Sequence, residues 1–231
     1  MSNPRQLALQ IQINERASLD KFFISKNNHK TIQMLKSILD DNNKTQVFID
    51  DNGSNGKSFL LQALCNDFSD SKKSTIYIPM QKVINLSPSI LSGVSELDLI
   101  CIDDVDLINN QKEWEIALFN LINECYEKEC FLLLSGSINK LEAIPDLISR
   151  IKRMEVLRLK AIDDEELFEA SKTILTNLNI AISEKNLNYL INHSKRDLKT
   201  IFQILSQLEK ESLERKKSIG LNLIKEVIQS F

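Results

Sequence analysis

The feature that most restricts this chain is the run Asp51-Asn52-Gly53-Ser54-Asn55-Gly56-Lys57-Ser58, set between a β-branched run, Thr45 to Asp50, and a stretch of helical spacing, Phe59 to Phe68. A glycine-bearing loop that leaves a strand and opens a helix lets backbone amides and a helix amino terminus converge on phosphate. The backbone of Gly53, Asn55, Gly56, Lys57, Ser58 and Phe59 would supply the donors, Lys57 a positive charge, and the Ser58 hydroxyl a ligand for Mg²⁺. The Gly-Lys-Ser end matches the phosphate-loop pattern in full, whereas Asp51 stands where the pattern has its first glycine. A carboxylate near phosphates is mildly unfavourable, which points away from tight triphosphate binding. The bland alternative, a surface Asn/Gly turn with a chance Lys-Ser, is disfavoured by the flanking strand and helix.

The rest of the chain supplies the sheet that such a loop needs. A helix is expected over Lys30 to Leu39, followed by the strand before the loop, and then strands over Thr75 to Ile78, Leu97 to Ile102, Cys130 to Leu134 and Glu155 to Leu159. Leu97 to Ile102 is almost unbroken apolar sequence, as a strand buried on both faces must be. Between the strands lie a helical pattern at Trp114 to Ile122 and a short turn-helix at Pro145 to Ile151. Five strands alternating with helices predict an α/β fold with a doubly wound parallel five-stranded sheet. From Asp163 onward only helical periods remain, beginning with the acidic run Asp163-Asp164-Glu165-Glu166, so a small all-helical lobe is expected there. The expected division is an extended arm over residues 1–15, an α/β nucleotide-binding domain over 16–160 and a helical lid over 161–231.

Asp103 and Asp104 end the most apolar strand, downstream of the loop as the second half of a nucleotide site would be. Asp103 would hold a metal directly or through water, and Asp104 would orient an attacking water. An acidic cap on a buried strand is the competing reading, and the spacing from the loop weighs against it. Arg150, just before the last strand, has the position of an arginine finger offered to a neighbour's nucleotide; alone it would read as an exposed helix-end arginine beside Lys152 and Arg153. Arg196 stands in the helical lobe where it could reach nucleotide, balanced evenly against an ordinary solvated charge. The arm's Gln6, Leu7, Leu9 and Ile11 suit docking into an apolar groove on a partner, or a strand folding back on its own core. His29 and His193 read as surface or helix-end residues.

Composition narrows the field further. A net charge of -3 argues against broad gripping of nucleic-acid backbone. The spacings of Cys65, Cys101, Cys125 and Cys130 match no zinc pattern, and no secretory or membrane-spanning run is visible, so a cytoplasmic protein with reduced thiols and no membrane contact is expected.

With the phosphate loop, Asp103-Asp104, Ser149-Arg150 and Lys195-Arg196-Asp197-Leu198 in this order, the chain resembles the DnaA-related AAA+ family, and within it the short regulatory inactivators of the Hda type. The resemblance runs from Gln6-Leu7-Ala8-Leu9 to Lys225-Glu226-Val227-Ile228 and includes Leu99 to Asp104 and Trp114 to Leu121. It implies an AAA+ P-loop domain with a lid, binding ADP (or ATP) with Mg²⁺. It further implies a negative regulator of replication initiation that docks on the DNA-loaded β sliding clamp of DNA polymerase III and stimulates hydrolysis of ATP held by DnaA. DnaA, the clamp, indirect contact with DNA and a homodimer are then the expected partners and assemblies. Under the same resemblance Gln6, Leu7, Leu9 and Ile11 are the clamp-binding residues, Arg150 is the finger acting in trans, and Arg196 is the lid sensor. Gln10 stands where the family has proline, and Ser137 where relatives carry an acidic or amide sensor. Together with Asp51, Ser137 suggests weak intrinsic hydrolysis. The chain ends without the helix-turn-helix DNA-binding domain of an initiator, which favours a regulator. Two other classes compete: an autonomous ATPase of the helicase-loader type, and a scaffold that uses no nucleotide.

Overall fold

The computed structural model describes residues 17–40, 46–50 and 56–231. The arm residues Gln6, Leu7, Leu9, Gln10 and Ile11, and the loop positions Asp51, Gly53 and Asn55, lie outside the described residues.

Five strands form one parallel sheet: β1 (Val47–Asp50), β2 (Thr75–Pro79), β3 (Leu99–Asp103), β4 (Phe131–Gly136) and β5 (Glu155–Arg158), in the order β2-β3-β4-β1-β5. The chain leaves β1 for the far edge, returns through β3 and β4 to β1's flank, and then crosses to β5. The connections therefore diverge at β1 and β4, and in open α/β sheets ligands bind beyond the strand carboxyl ends at such a point. Asp50, Asp103 and Gly136 are the last residues of the three central strands.

The central strands β1, β3 and β4 are buried throughout, while β2 and β5 at the edges are only partly so. Alternation divides their side chains between two cores. Phe48, Ile100, Ile102, Leu132 and Leu134 pack on one face with Trp114, Leu118 and Leu121 of α4 (Lys112–Glu127) and with Leu147 and Ile151 of α5 (Pro145–Ile151). Ile49, Leu99, Cys101 and Leu133 pack on the other with α1 (His29–Asp40) and α2 (Lys57–Asp70). Each fully buried aliphatic side chain contributes about 1.5–3 kcal/mol, so the two-faced arrangement fixes strand register strongly. The stretch after β2 contains the single-turn α3 (Met80–Val83) and two 3₁₀ turns, Pro88–Leu91 and Val94–Glu96.

A third core joins α6 (Asp164–Leu178), α7 (Glu184–Asn192), α8 (Leu198–Arg215) and α9 (Leu221–Ile228) around Leu190, Ile201, Ile204, Leu205, Leu208 and Ile224. Three acids occupy the first turn of α6, where the helix dipole favours negative charge. Asp197 caps α8, accepting from the Thr200 N–H and hydroxyl, both at 2.9 Å. The segment before α1 runs alongside this helical lobe. The Asn28 amide donates to the Lys160 carbonyl (2.9 Å) and accepts from the Lys160 N–H (2.8 Å). Asn27 donates to Asp163 (2.9 Å), the Lys26 N–H to Glu166 (3.0 Å), and Asn177 of α6 to the Lys21 carbonyl (3.0 Å).

Among the described residues no helix is long and apolar enough to cross a membrane. His29 begins α1, and His193 ends α7 stacked on Tyr189.

Candidate nucleotide site

The site forms where β1, β3 and β4 end. Gly56, with φ +90°, occupies the left-handed region and caps α2. A Cβ there would also lie 3.1 Å from the Phe22 ring, so the loop enters the helix through a position made for glycine. Phe22 in turn lies 6.2 Å, centroid to centroid, from Phe59.

Lys57, the first residue of α2, places Nζ 3.3 Å from Oδ1 of Asp104. Gln81 donates to the other oxygen of Asp104 at 3.1 Å. Asp104 itself adopts φ 58°, ψ 51°, a left-handed kink that turns its side chain out of the strand's alternation. Burial, and then the adjacent Asp103 charge, push the Asp104 carboxyl above the ordinary carboxylate range, against the opposing pull of Lys57.

Asp103 is 2% exposed and is held from both sides. The Tyr77 hydroxyl donates to Oδ2 at 2.8 Å, and the Ser135 hydroxyl donates to Oδ1. Ser135 accepts in turn from the Asp104 N–H at 3.2 Å. Register explains the grouping: Tyr77 pairs with Cys101 and Ile102 with Leu134, so Tyr77, Asp103 and Ser135 share the α2 face of the sheet. Ser58 and Gln62, one turn apart on α2, hydrogen-bond to the Tyr77 hydroxyl from above. Burial, then the Asp103 charge and its hydrogen bond, raise the phenol well above its usual value, so it remains a donor.

Around this centre lie two supporting carboxylates. Asp50 accepts from the Ile138 N–H (3.0 Å) and from Arg158 Nε (3.3 Å), tying β1 to β5 and to the turn after β4. Asp106 accepts from the Ser137 N–H at 3.3 Å and packs so closely on Gly136 that a Cβ there would meet its carboxylate oxygen at 2.7 Å.

Of the residues singled out from sequence, Lys57, Ser58, Asp103 and Asp104 come together here. Arg196 lies in the helical lobe, bonded to Asp164 (3.2 Å) and Asn192 (3.3 Å). Arg150 sits in the last turn of α5 with its guanidinium 5.7 Å from the centroid of Phe119. Sequence reading set Ser137 as a departure at the position where relatives carry an acidic or amide sensor, and missed Tyr77 and Ser135. Strand parity becomes a signal only once the order β2-β3-β4 is known: Ser135 then lies level with Asp103, and Tyr77, like Thr75, faces α2.

A hydroxyl and a carboxylate are hard oxygen donors of the kind Mg²⁺ takes together with phosphate oxygens. Ser58 and Asp103 both reach the Tyr77 hydroxyl and so stand within two hydrogen bonds of each other, which fits such an ion. Among the described residues no group of three or more His, Cys, Asp or Glu side chains could hold a metal unaided, so phosphate would have to complete the shell.

Comparison with known proteins bears on the fold and on the helical lobe. The sequence model of the Hda lid domain matches residues 164–228. An uncharacterized protein of Haemophilus influenzae is 27% identical over 228 residues, covering 97% of this chain and 98% of that protein. Domain III of the Thermotoga maritima replication initiation protein DnaA superposes with a TM-score of 0.78 at 20% identity, over 95% of this chain and 98% of that one. AMPPCP-bound DnaA of Aquifex aeolicus gives 0.69 at 20% identity, over 88% and 70% respectively. The Holliday-junction branch migration motor RuvB of Thermotoga maritima gives 0.65 at 16% identity, over 95% and 73%. The chain therefore has the fold of DnaA domain III, and its helical lobe, residues 164–228, is similar to the Hda lid domain.

Proposed function

We propose that this DnaA-related replication regulator holds ADP with Mg²⁺ at the Lys57–Asp103 site, docks on the DNA-loaded β sliding clamp in the cytoplasm, and stimulates hydrolysis of ATP held by DnaA. The observation that carries the reading is the convergence of Lys57 and Ser58 with Asp103 and Asp104 at the strand ends of an AAA+ fold bearing an Hda-type lid. The AMPPCP-bound state of the Aquifex aeolicus initiator, which shares the fold, supports nucleotide binding.

In this reading Gly53, Asn55, Gly56 and Lys57 cradle the phosphates, Ser58 and Asp103 hold the metal, and Phe59 lies at the loop's exit. Arg196 reaches the nucleotide from the lid, and Arg150 completes the site on DnaA. Gln6, Leu7, Leu9 and Ile11 engage the clamp. The domain division proposed with it is a clamp-binding arm over 1–15, the AAA+ domain over 16–160 and the lid over 161–231. Intrinsic hydrolysis is weak, because the Asp104 carboxylate that would orient the attacking water is engaged by Lys57 and Gln81.

The test is a reconstitution of the chain, ADP, DNA-loaded clamp and ATP-bound DnaA, with phosphate release as the readout. Acceleration that is lost on Arg150→Ala, with nucleotide affinity retained, supports the regulator. Phosphate release that stays at the rate of DnaA alone, with every component shown active, removes it. Steady turnover of ATP by the isolated chain, abolished by Asp104→Ala, would instead identify a working ATPase.

A further inference from the structure

Tyr77 belongs to the strand beside β3, offers no charge, and is 5% exposed, so nothing in its sequence setting marks it as part of a nucleotide site. Its hydroxyl nevertheless stands at the junction of the site's two halves. Below, it donates to Asp103 at 2.8 Å; above, it meets the side chains of Ser58 and Gln62 on the helix that continues the phosphate loop. Ser135 closes the arrangement by donating to the second oxygen of Asp103, so the carboxylate is held by one hydroxyl on each side. A carboxylate free to rotate would present its oxygens to a metal only part of the time. Two opposed donors remove that freedom before any ligand arrives.

We propose that Tyr77 is a positioning residue of the nucleotide site, aiming the Asp103 carboxylate and the Ser58 hydroxyl at one divalent cation shared with the bound nucleoside diphosphate. The proposal rests on the reading that the chain binds nucleotide. It assigns Tyr77 to the metal-dependent part of the affinity alone. Phosphate contacts from the loop amides and Lys57 do not pass through Asp103, so they are left as they were. A hydrogen bond to a buried charged group contributes enough that its loss changes an equilibrium by about tenfold or more.

The experiment is a fluorescence-anisotropy titration of the full chain with ADP carrying an N-methylanthraniloyl group, in Mg²⁺ and in EDTA. Expected for the unsubstituted protein is tighter binding in Mg²⁺. Tyr77→Phe keeps the ring and removes one oxygen; it should weaken binding in Mg²⁺ by about tenfold and leave the EDTA value within about twofold. In an Asp103→Asn background the same substitution should have no further effect, because the group it positions is already lost. Circular dichroism and thermal unfolding of each variant establish that it is folded.

Tyr77→Phe binding as tightly as the parent in Mg²⁺ overturns the proposal. Equal weakening with and without metal also overturns it, since that is the signature of a packing residue. Parent affinity that ignores Mg²⁺ removes the metal from the site and the proposal with it. Absence of saturable ADP binding by the folded parent in either condition refutes the nucleotide reading itself, and is distinguishable from all of these.

Discussion

Asp50 offers the sharpest test of how the strand ends are held together. Its side chain is buried, and its two oxygens serve different tasks: Oδ1 accepts from the Ile138 N–H at 3.0 Å, and Oδ2 pairs with Arg158 Nε at 3.3 Å. The tasks are unequal in energy. Arg158 is 75% exposed against 6% for Asp50, so solvent screens that pair and about 0.5 kcal/mol is a fair allowance for it. The Ile138 N–H is turned inward to a charged acceptor, and deleting such an acceptor costs about 1.5–3 kcal/mol. Asp50→Ala, which removes both, should therefore destabilise by about 2–3 kcal/mol, whereas Asp50→Asn keeps an acceptor for Ile138 and should cost less than about 1 kcal/mol. Urea unfolding followed by tryptophan fluorescence is the assay. The chain has one tryptophan, Trp114, buried in the α4 core with its indole N–H donating to the Ile84 carbonyl, so the signal reports the α/β region. Equal losses for the two substitutions would refute the division, because they would mean that the charge on Arg158 matters more than the amide of Ile138.

Three further outcomes follow from the same geometry. Gly56→Ala places a side chain at φ +90° and 3.1 Å from Phe22, so it should destabilise by about 1–3 kcal/mol and weaken nucleotide binding at least about tenfold; calorimetric titration with ADP checks it. Asp104→Asn should stabilise at neutral pH: the folded-state carboxyl titrates above its ordinary value, so ionising it opposes folding, and the gain over the parent should shrink as pH falls through the raised value towards 3.8 and level off below it. Urea midpoints of both proteins across that range would expose the error if the gain grew in acid. Asp197→Ala removes the cap of α8 and should cost about 1 kcal/mol. Burial works against the Asp197 charge, but the Thr200 bonds and Lys195 hold its carboxyl below the ordinary value. The deficit should therefore be full above 3.8 and fade as pH falls through the lowered value, which amide hydrogen exchange in α8 would follow.

Much of this arrangement is written in local sequence. Unbroken apolar runs announce β3 and β4 because a strand covered on both faces has no solvent side to make polar. The short helix Pro145–Ile151 is announced by a proline at its first turn. Lys57, Ser58, Asp103 and Asp104 are legible because adjacent residues carry both halves of their pattern. Tyr77 and Ser135 are not, since their role depends on which strands are neighbours: only the order β2-β3-β4 brings a tyrosine and a serine to opposite sides of Asp103. The segment from Met80 to Glu96 shows no clear period because it is made of single turns, each too short to repeat.

The two-way amide bond between Asn28 and Lys160 has a mechanical meaning. Six residues before Asn28, Phe22 lies against Phe59 and the Gly56 turn; after it, Lys160 leads directly into the helical lobe. One short stretch of chain is thus fastened at one end to the start of α2 and at the other to the base of the helical lobe. A displacement of the helical lobe that keeps those bonds is carried along this stretch to Phe22, Phe59 and Gly56, so the two act as the ends of a single lever.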